Sequence, residues 1–167
     1  MSTVTIGKRL IPVESIALVE PFDPSAHPGM KSDKPFKARV VLLDRQSVLT
    51  EQTVEAFAQA HAFLLLAEDQ VVTNPAIRFG VETFEPADGF EPTKPFRTRL
   101  SWRDLDGNTQ SKLLLSPPEA VLAIAVRGEV QTGAAREQPR AGGGSRKPTA
   151  TIDRRKARRR EREPAPA

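Results

Sequence analysis

Seven cations crowd one short stretch near the end of the chain: Arg154, Arg155, Lys156, Arg158, Arg159, Arg160 and Arg162. Such a run draws polyanions by releasing their condensed counterions, and arginine grips phosphate bidentately. No aromatic is interleaved with it, so bases would find nothing to stack on, and binding to DNA or RNA would be blind to sequence. The competing reading is a tail that only solubilises the chain or reaches an acidic protein. A second basic set lies in KPFRTRLSWRD, residues 94–104, where Arg97, Arg99 and Arg103 alternate with Phe96, Thr98, Leu100 and Trp102. Alternate residues of a strand project to one side about 7 Å apart, a spacing that lets guanidiniums follow phosphates. Glu82 and Glu85 of the preceding strand are expected to quench this row through cross-strand ion pairs.

Catalysis finds less support. The two histidines are His27, in the loop DPSAHPG, and His61, at the end of a helix-like stretch. Neither has a partner at a metal-ligand spacing, and His61 suits a helix C-terminus, where positive charge is favoured. There is no Gly-x-Ser-x-Gly elbow and no glycine-rich phosphate loop after a strand. Cysteine is absent, which removes disulfides, thiolate metal sites and cysteine nucleophiles together. In Asp104-Leu105-Asp106-Gly107-Asn108, a calcium loop would need glycine at its sixth position and a carboxylate at its twelfth. Counted from Asp104, glycine is fourth and the twelfth residue is Leu115, so the segment reads as the Asp-Gly turn of a hairpin. No catalytic residue, metal or cofactor is therefore assigned.

The charge is divided along the chain. Residues 1–133 carry 14 basic and 17 acidic side chains, a net of −3, whereas residues 134–167 carry 11 and 4, a net of +7. The second segment has one branched aliphatic residue, Ile152, and no aromatic, so it cannot bury enough apolar surface to offset its ordering entropy and is expected to be disordered. The start, MSTVTIGKRLIPVESI, lacks the apolar run of a signal peptide, and the richest runs, AFLLLA and AVLAIAV, are too short to span a membrane. These features predict a cytoplasmic protein with no membrane partner.

The elements needed to hold the arginines appear twice. KPFKARVVLLD (34–44) and KPFRTRLSWRD (94–104) share a pattern, and each follows a Val-Glu-x-Phe segment and a polar loop, in IALVEPFDP and RFGVETFEP. The first copy places Phe36, Ala38, Val40 and Leu42 on one face and Lys37, Arg39, Val41 and Leu43 on the other, with its far end buried on both sides. A helix follows each copy: Thr50–Ala62, capped by Thr50 with Val54, Phe57, Ala58 and His61 on one face, and a second opened by Ser116-Pro-Pro-Glu as a capping box. AVLAIAV is apolar nearly all round, which predicts deep burial, with Arg127-Gly128 at its end. In the second copy DGNTQSKLLL supplies a turn and a return strand first. The pattern predicts two related strand-loop-strand-helix units, at about residues 10–62 and 77–128, by duplication or convergence.

Residues 10–80 also resemble the LytTR family of bacterial DNA-binding domains. IPVESIALVE is similar to that family's opening strand pair, and the order strand (Ala38–Leu43), helix (Thr50–Ala62), Phe63, strand to Asn74 follows the family's. The resemblance implies a similar β-rich scaffold. The family's cations between Phe and Asn, which contact DNA, are replaced here by Leu64, Leu65, Leu66, Ala67, Glu68, Asp69 and Gln70, and the Asn falls one residue late.

The expected protein is thus α+β. A β-rich body of residues 1–133 carries a disordered basic tail of residues 134–167. The function expected is that of a non-catalytic regulatory or accessory protein of a bacterial cytoplasm, associating with nucleic acid mainly through the tail. The alternative is a protein-interaction module, with the tail as tether.

Overall fold

The computed structural model describes residues 2–128; the basic run at 154–162 and the predicted tail lie outside the described residues. The described chain is β-rich α+β. A hairpin, β1 (Thr3–Ile6) and β2 (Arg9–Pro12), turns at Gly7, whose φ of 62° suits glycine. Next come β3 (Ile16–Pro21), β4 (Ala38–Leu42), β5 (Ser47–Thr50), helix α1 (Val54–His61), β6 (Leu64–Leu66) and β7 (Val71–Thr73). The order is completed by β8 (Gly80–Thr83), β9 (Thr98–Arg103), β10 (Thr109–Leu114) and α2 (Pro118–Val121), which widens into a π-helical stretch over Leu122–Val126. The strands form a two-stranded sheet, a five-stranded sheet in the order β5-β4-β3-β7-β6 and a three-stranded sheet in the order β10-β9-β8, with every pair antiparallel.

Burial explains these elements. Strand β3 is covered on both faces, and a bulge between Ile16 and Leu18 puts the consecutive residues Ala17 and Leu18 into one core. Ile16 and Val19 join Val4, Ile11, Val40 and Phe57 in a core under α1 and the first hairpin. Ala17 and Leu18 join Leu66, Val71, Leu100, Trp102, Leu114 and Val121 in a second core, toward the three-stranded sheet. Helix α1 buries Val54, Phe57 and Ala58, and the His61 ring lies 4.6 Å from that of Phe57. Its cap is Thr53, whose hydroxyl accepts from the Ala56 N–H at 3.2 Å, and not the predicted Thr50. Thr50 instead ends β5, a return strand absent from the sequence reading, which pairs Ala38↔Thr50 with β4.

At the second helix the expected capping box is absent. Ser116 donates its hydroxyl to Asp69 Oδ2 at 2.5 Å, and Pro117 occupies the cap position with no side-chain bond. The apolar stretch buries Val121, Ile124 and Ala125, while Val126 is 49% exposed, so its burial is one-sided. Gly128 takes a φ of 69° after Arg127 and donates its N–H to Ile124 O, as the predicted helix end requires.

Residues 16–61 and 80–126 each run strand, long loop, strand, return strand, helix. Several backbone bonds recur at equivalent places. Phe22 N donates to Lys37 O and Phe84 N to Arg97 O; Lys37 N donates to Thr50 O and Arg97 N to Leu114 O. Within the loops, Met30 N donates to His27 O and Phe90 N to Ala87 O, and Phe36 N donates to Lys34 O and Phe96 N to Lys94 O.

Candidate nucleic-acid interface

The arginine row sits where alternation placed it. Along β9, Thr98, Leu100 and Trp102 are buried, while Arg97, Arg99 and Arg103 are exposed. The inner face of this sheet packs on the second core, which leaves the outer face to solvent. Strand β9 is held centrally in its sheet, by β10 through six residue pairs and by β8 through four. The guanidiniums are therefore carried on a rigid, twice-paired strand.

Glu82 lies directly opposite Arg99 in the β8–β9 register, as the expected quenching requires. No ion pair forms between them, however, and none of Arg78, Arg97, Arg99 or Arg103 is ion-paired among the described residues. The Arg99 guanidinium lies 5.6 Å from the Phe84 ring centroid instead. Phe84 in turn meets Phe90 and Phe96 edge-on at 6.4 and 6.5 Å. Phe90 is 52% exposed, but Asp88 and Glu91 flank it in the loop. The face thus offers an aromatic edge beside its cations, within an acidic loop.

Of the ion pairs among the described residues, Arg39–Glu20 lies within the five-stranded sheet and the others link it to the three-stranded one. Glu20 on β3 is 6% exposed and accepts from Arg39 Nε at 2.6 Å and from the Lys112 ammonium on β10. Burial works against its ionised form, while Lys112 and then Arg39 favour it, and the outcome is a pKa below the ordinary carboxylate value. At the hairpin tips Arg45 pairs with Asp104 at 3.4 Å and Asp106 at 2.7 Å, and Leu105 N donates to Leu43 O at 2.9 Å. Asp104 is the predicted turn aspartate: Oδ1 accepts from the Asp106 and Asn108 N–H groups, and Gly107 takes a φ of 83°. Its pKa is lowered because the bonds from Gln110, Asn108 and Asp106 and the charge of Arg45 outweigh desolvation, the largest single influence.

The acidic residue standing where the resemblance expects a cation has a structural role. Asp69, in the β6–β7 turn, accepts from Leu115 N at 2.6 Å and Ser116 N at 3.2 Å besides the Ser116 hydroxyl. Asn74 is likewise internal: its Nδ2 donates to Val13 O and Ile16 O, each at 2.8 Å, and Oδ1 accepts from Ala76 N. Both side chains fasten backbone, Asn74 in the interior and Asp69 from a half-buried position.

His27 stacks on Phe22 at 5.1 Å and His61 meets Phe57 at a tilt, so each histidine makes an aromatic contact. Among the described residues no group of three or more His, Cys, Asp or Glu side chains is placed to hold a metal ion, and no helix is long and apolar enough to cross a membrane. No family model matches the chain, and no curated protein or solved structure is significantly similar to it.

Proposed function

We propose that the protein is a non-catalytic accessory or regulatory factor that associates with nucleic acid, mainly through the basic run at 154–162 and secondarily through Arg97, Arg99 and Arg103. The observation carrying this reading is the charge division: a +7 segment attached to a body of net −3. A mildly acidic body does not hold a polyanion by its overall field, so affinity must come from local cations. The un-ion-paired arginine row supplies a second contact of the same chemistry. Such binding reads phosphate and not base edges. The setting is a bacterial cytoplasm.

A protein-interaction role is the alternative, favoured by one feature of the long loops. Each contains a turn with an exposed apolar residue six positions before the Phe of Lys-Pro-Phe, Met30 at 39% and Phe90 at 52%. In this reading the basic run is a tether to the same or a second partner. The two strand-loop-strand-helix units are taken as related, on the strength of the recurring backbone bonds and the shared Lys-Pro-Phe pattern. The LytTR-like reading is kept as a proposal about scaffold alone.

Fluorescence anisotropy of labelled duplex DNA and single-stranded RNA separates these readings. Affinity of the full chain should fall on the order of 10³-fold between about 50 and 200 mM salt if some six phosphates are neutralised. A chain stopped after Gly133 should lose most of that binding. Equal binding by both chains would move the site to the arginine row, and absence of binding by either at low salt would favour the protein partner.

A further inference from the structure

Beside the first residue of β8, the body has a pocket of about 710 Å³ to which the arginine row contributes Arg103. Arg78 and Arg103 line it, together with the Ser101 hydroxyl, and Leu43, Phe79 and Trp102 form an apolar wall. The volume lies within the range of small-molecule sites, and the lining sets Arg78, Glu82, Ser101, Arg103 and Thr109 beside its apolar residues. Leu43 comes from the β4–β5 turn, so the tip contact between the two hairpins shapes one side of it. Phe79 and Trp102 meet edge-on at 6.1 Å, which fixes both rings.

Two features make this more than a surface depression. Trp102 is 7% exposed, and its indole Nε1 is the single buried side-chain nitrogen or oxygen among the described residues that lacks a hydrogen-bond partner. Buried tryptophan N–H groups ordinarily find an acceptor, and leaving that bond unmade is unfavourable. Second, the lining carries two guanidiniums, neither of them ion-paired among the described residues, against one carboxylate, Glu82. A guanidinium fork is suited to phosphate or carboxylate.

We propose that this pocket binds a small organic anion, a phosphate or carboxylate carried on a flat and partly apolar body. Arg78 and Arg103 hold the anionic group. The body lies against Leu43, Phe79 and Trp102. The site goes beyond nucleic-acid association and rests on described residues alone, of which only Arg103 belongs to the arginine row.

Trp102 is the chain's one tryptophan, so its emission reports on the pocket without a label. The full chain is titrated with AMP and with benzoate, and with adenosine and inorganic phosphate as halves of the ligand chemistry. AMP or benzoate should change the emission saturably, and inorganic phosphate and adenosine should each bind at least about tenfold more weakly than AMP, since each lacks one set of contacts. The double variant Arg78→Gln/Arg103→Gln should weaken the response by at least about tenfold, while replacing the seven cations at 154–162 by Gln should leave it unchanged. No saturable response to AMP or benzoate would overturn the proposal. So would an unaltered response in the double variant, or inorganic phosphate binding as tightly as AMP.

Discussion

Replacing Lys112 by Met should destabilise the body by about 2 kcal/mol at neutral pH. Removing one partner of a buried ion pair generally costs about 3–5 kcal/mol, because the remaining charge is left uncompensated. Two features of this site reduce that figure. Arg39 stays bonded to Glu20, and the Lys112 side chain is 27% exposed, so part of its interaction is screened already. Methionine preserves most of the lysine stem, which confines the change to the ammonium. Urea unfolding by circular dichroism at pH 7 measures the loss, and the double variant Glu20→Gln/Lys112→Met isolates the pairwise part. The effect must also depend on pH with a definite sign. The folded-state pKa of Glu20 lies below its ordinary value of 4.5. Its ionised form therefore contributes stability that is fully present above the unfolded-state value and is lost as the pH falls through the folded-state value. The gap between the parent and Lys112→Met should close over that same acid range. A gap under about 0.5 kcal/mol at pH 7, or one that persists unchanged once Glu20 is protonated, would refute the argument that a buried carboxylate ties the two sheets.

Other positions give independent tests. Asp69→Ala strips three donors at the β10–α2 junction of their acceptor and should cost about 2–3 kcal/mol, while Ser116→Ala should cost about 1 kcal/mol, both read by urea unfolding. Thr53→Ala removes the α1 cap and should lower stability by about 1 kcal/mol, with the loss visible in the helical circular dichroism signal. Gly107→Ala forces a Cβ into left-handed backbone at the β9–β10 turn and should cost about 1–2 kcal/mol in the same assay.

The parts of this fold legible in the sequence are those set by local periodicity. The inside-outside pattern of β9 was readable because one face is buried and the other wet, so Thr98, Leu100 and Trp102 alternate cleanly with arginines. The Asp104 turn was readable because the backbone bonds that close it run to residues two and four away. Strand β5 was hidden: four residues, Ser47–Thr50, carry little pattern, and Thr50 lies close enough to α1 to imitate its cap. Ser116 imitated a capping box because its acceptor, Asp69, is 47 residues away in sequence. The placing of the consecutive Ala17 and Leu18 in one core depends on a bulge that no two-residue period announces. The candidate sites divide in the same way. The arginine row follows from alternation within one strand, whereas the pocket unites Leu43 with Arg78 and Trp102 across the chain and has no local signature. The fate of the cross-strand carboxylates was also a matter of side-chain placement: register put Glu82 opposite Arg99, but the guanidinium lies over Phe84.

The most direct test of nucleic-acid association compares two full-length charge variants by anisotropy on one labelled RNA at about 50 mM salt. One replaces the seven cations at 154–162 by Gln, and the other replaces Arg97, Arg99 and Arg103 by Gln. The account predicts a loss of at least about 100-fold for the first and about tenfold or less for the second, in proportion to the phosphates each set neutralises. Parent-like binding by the first variant would contradict it.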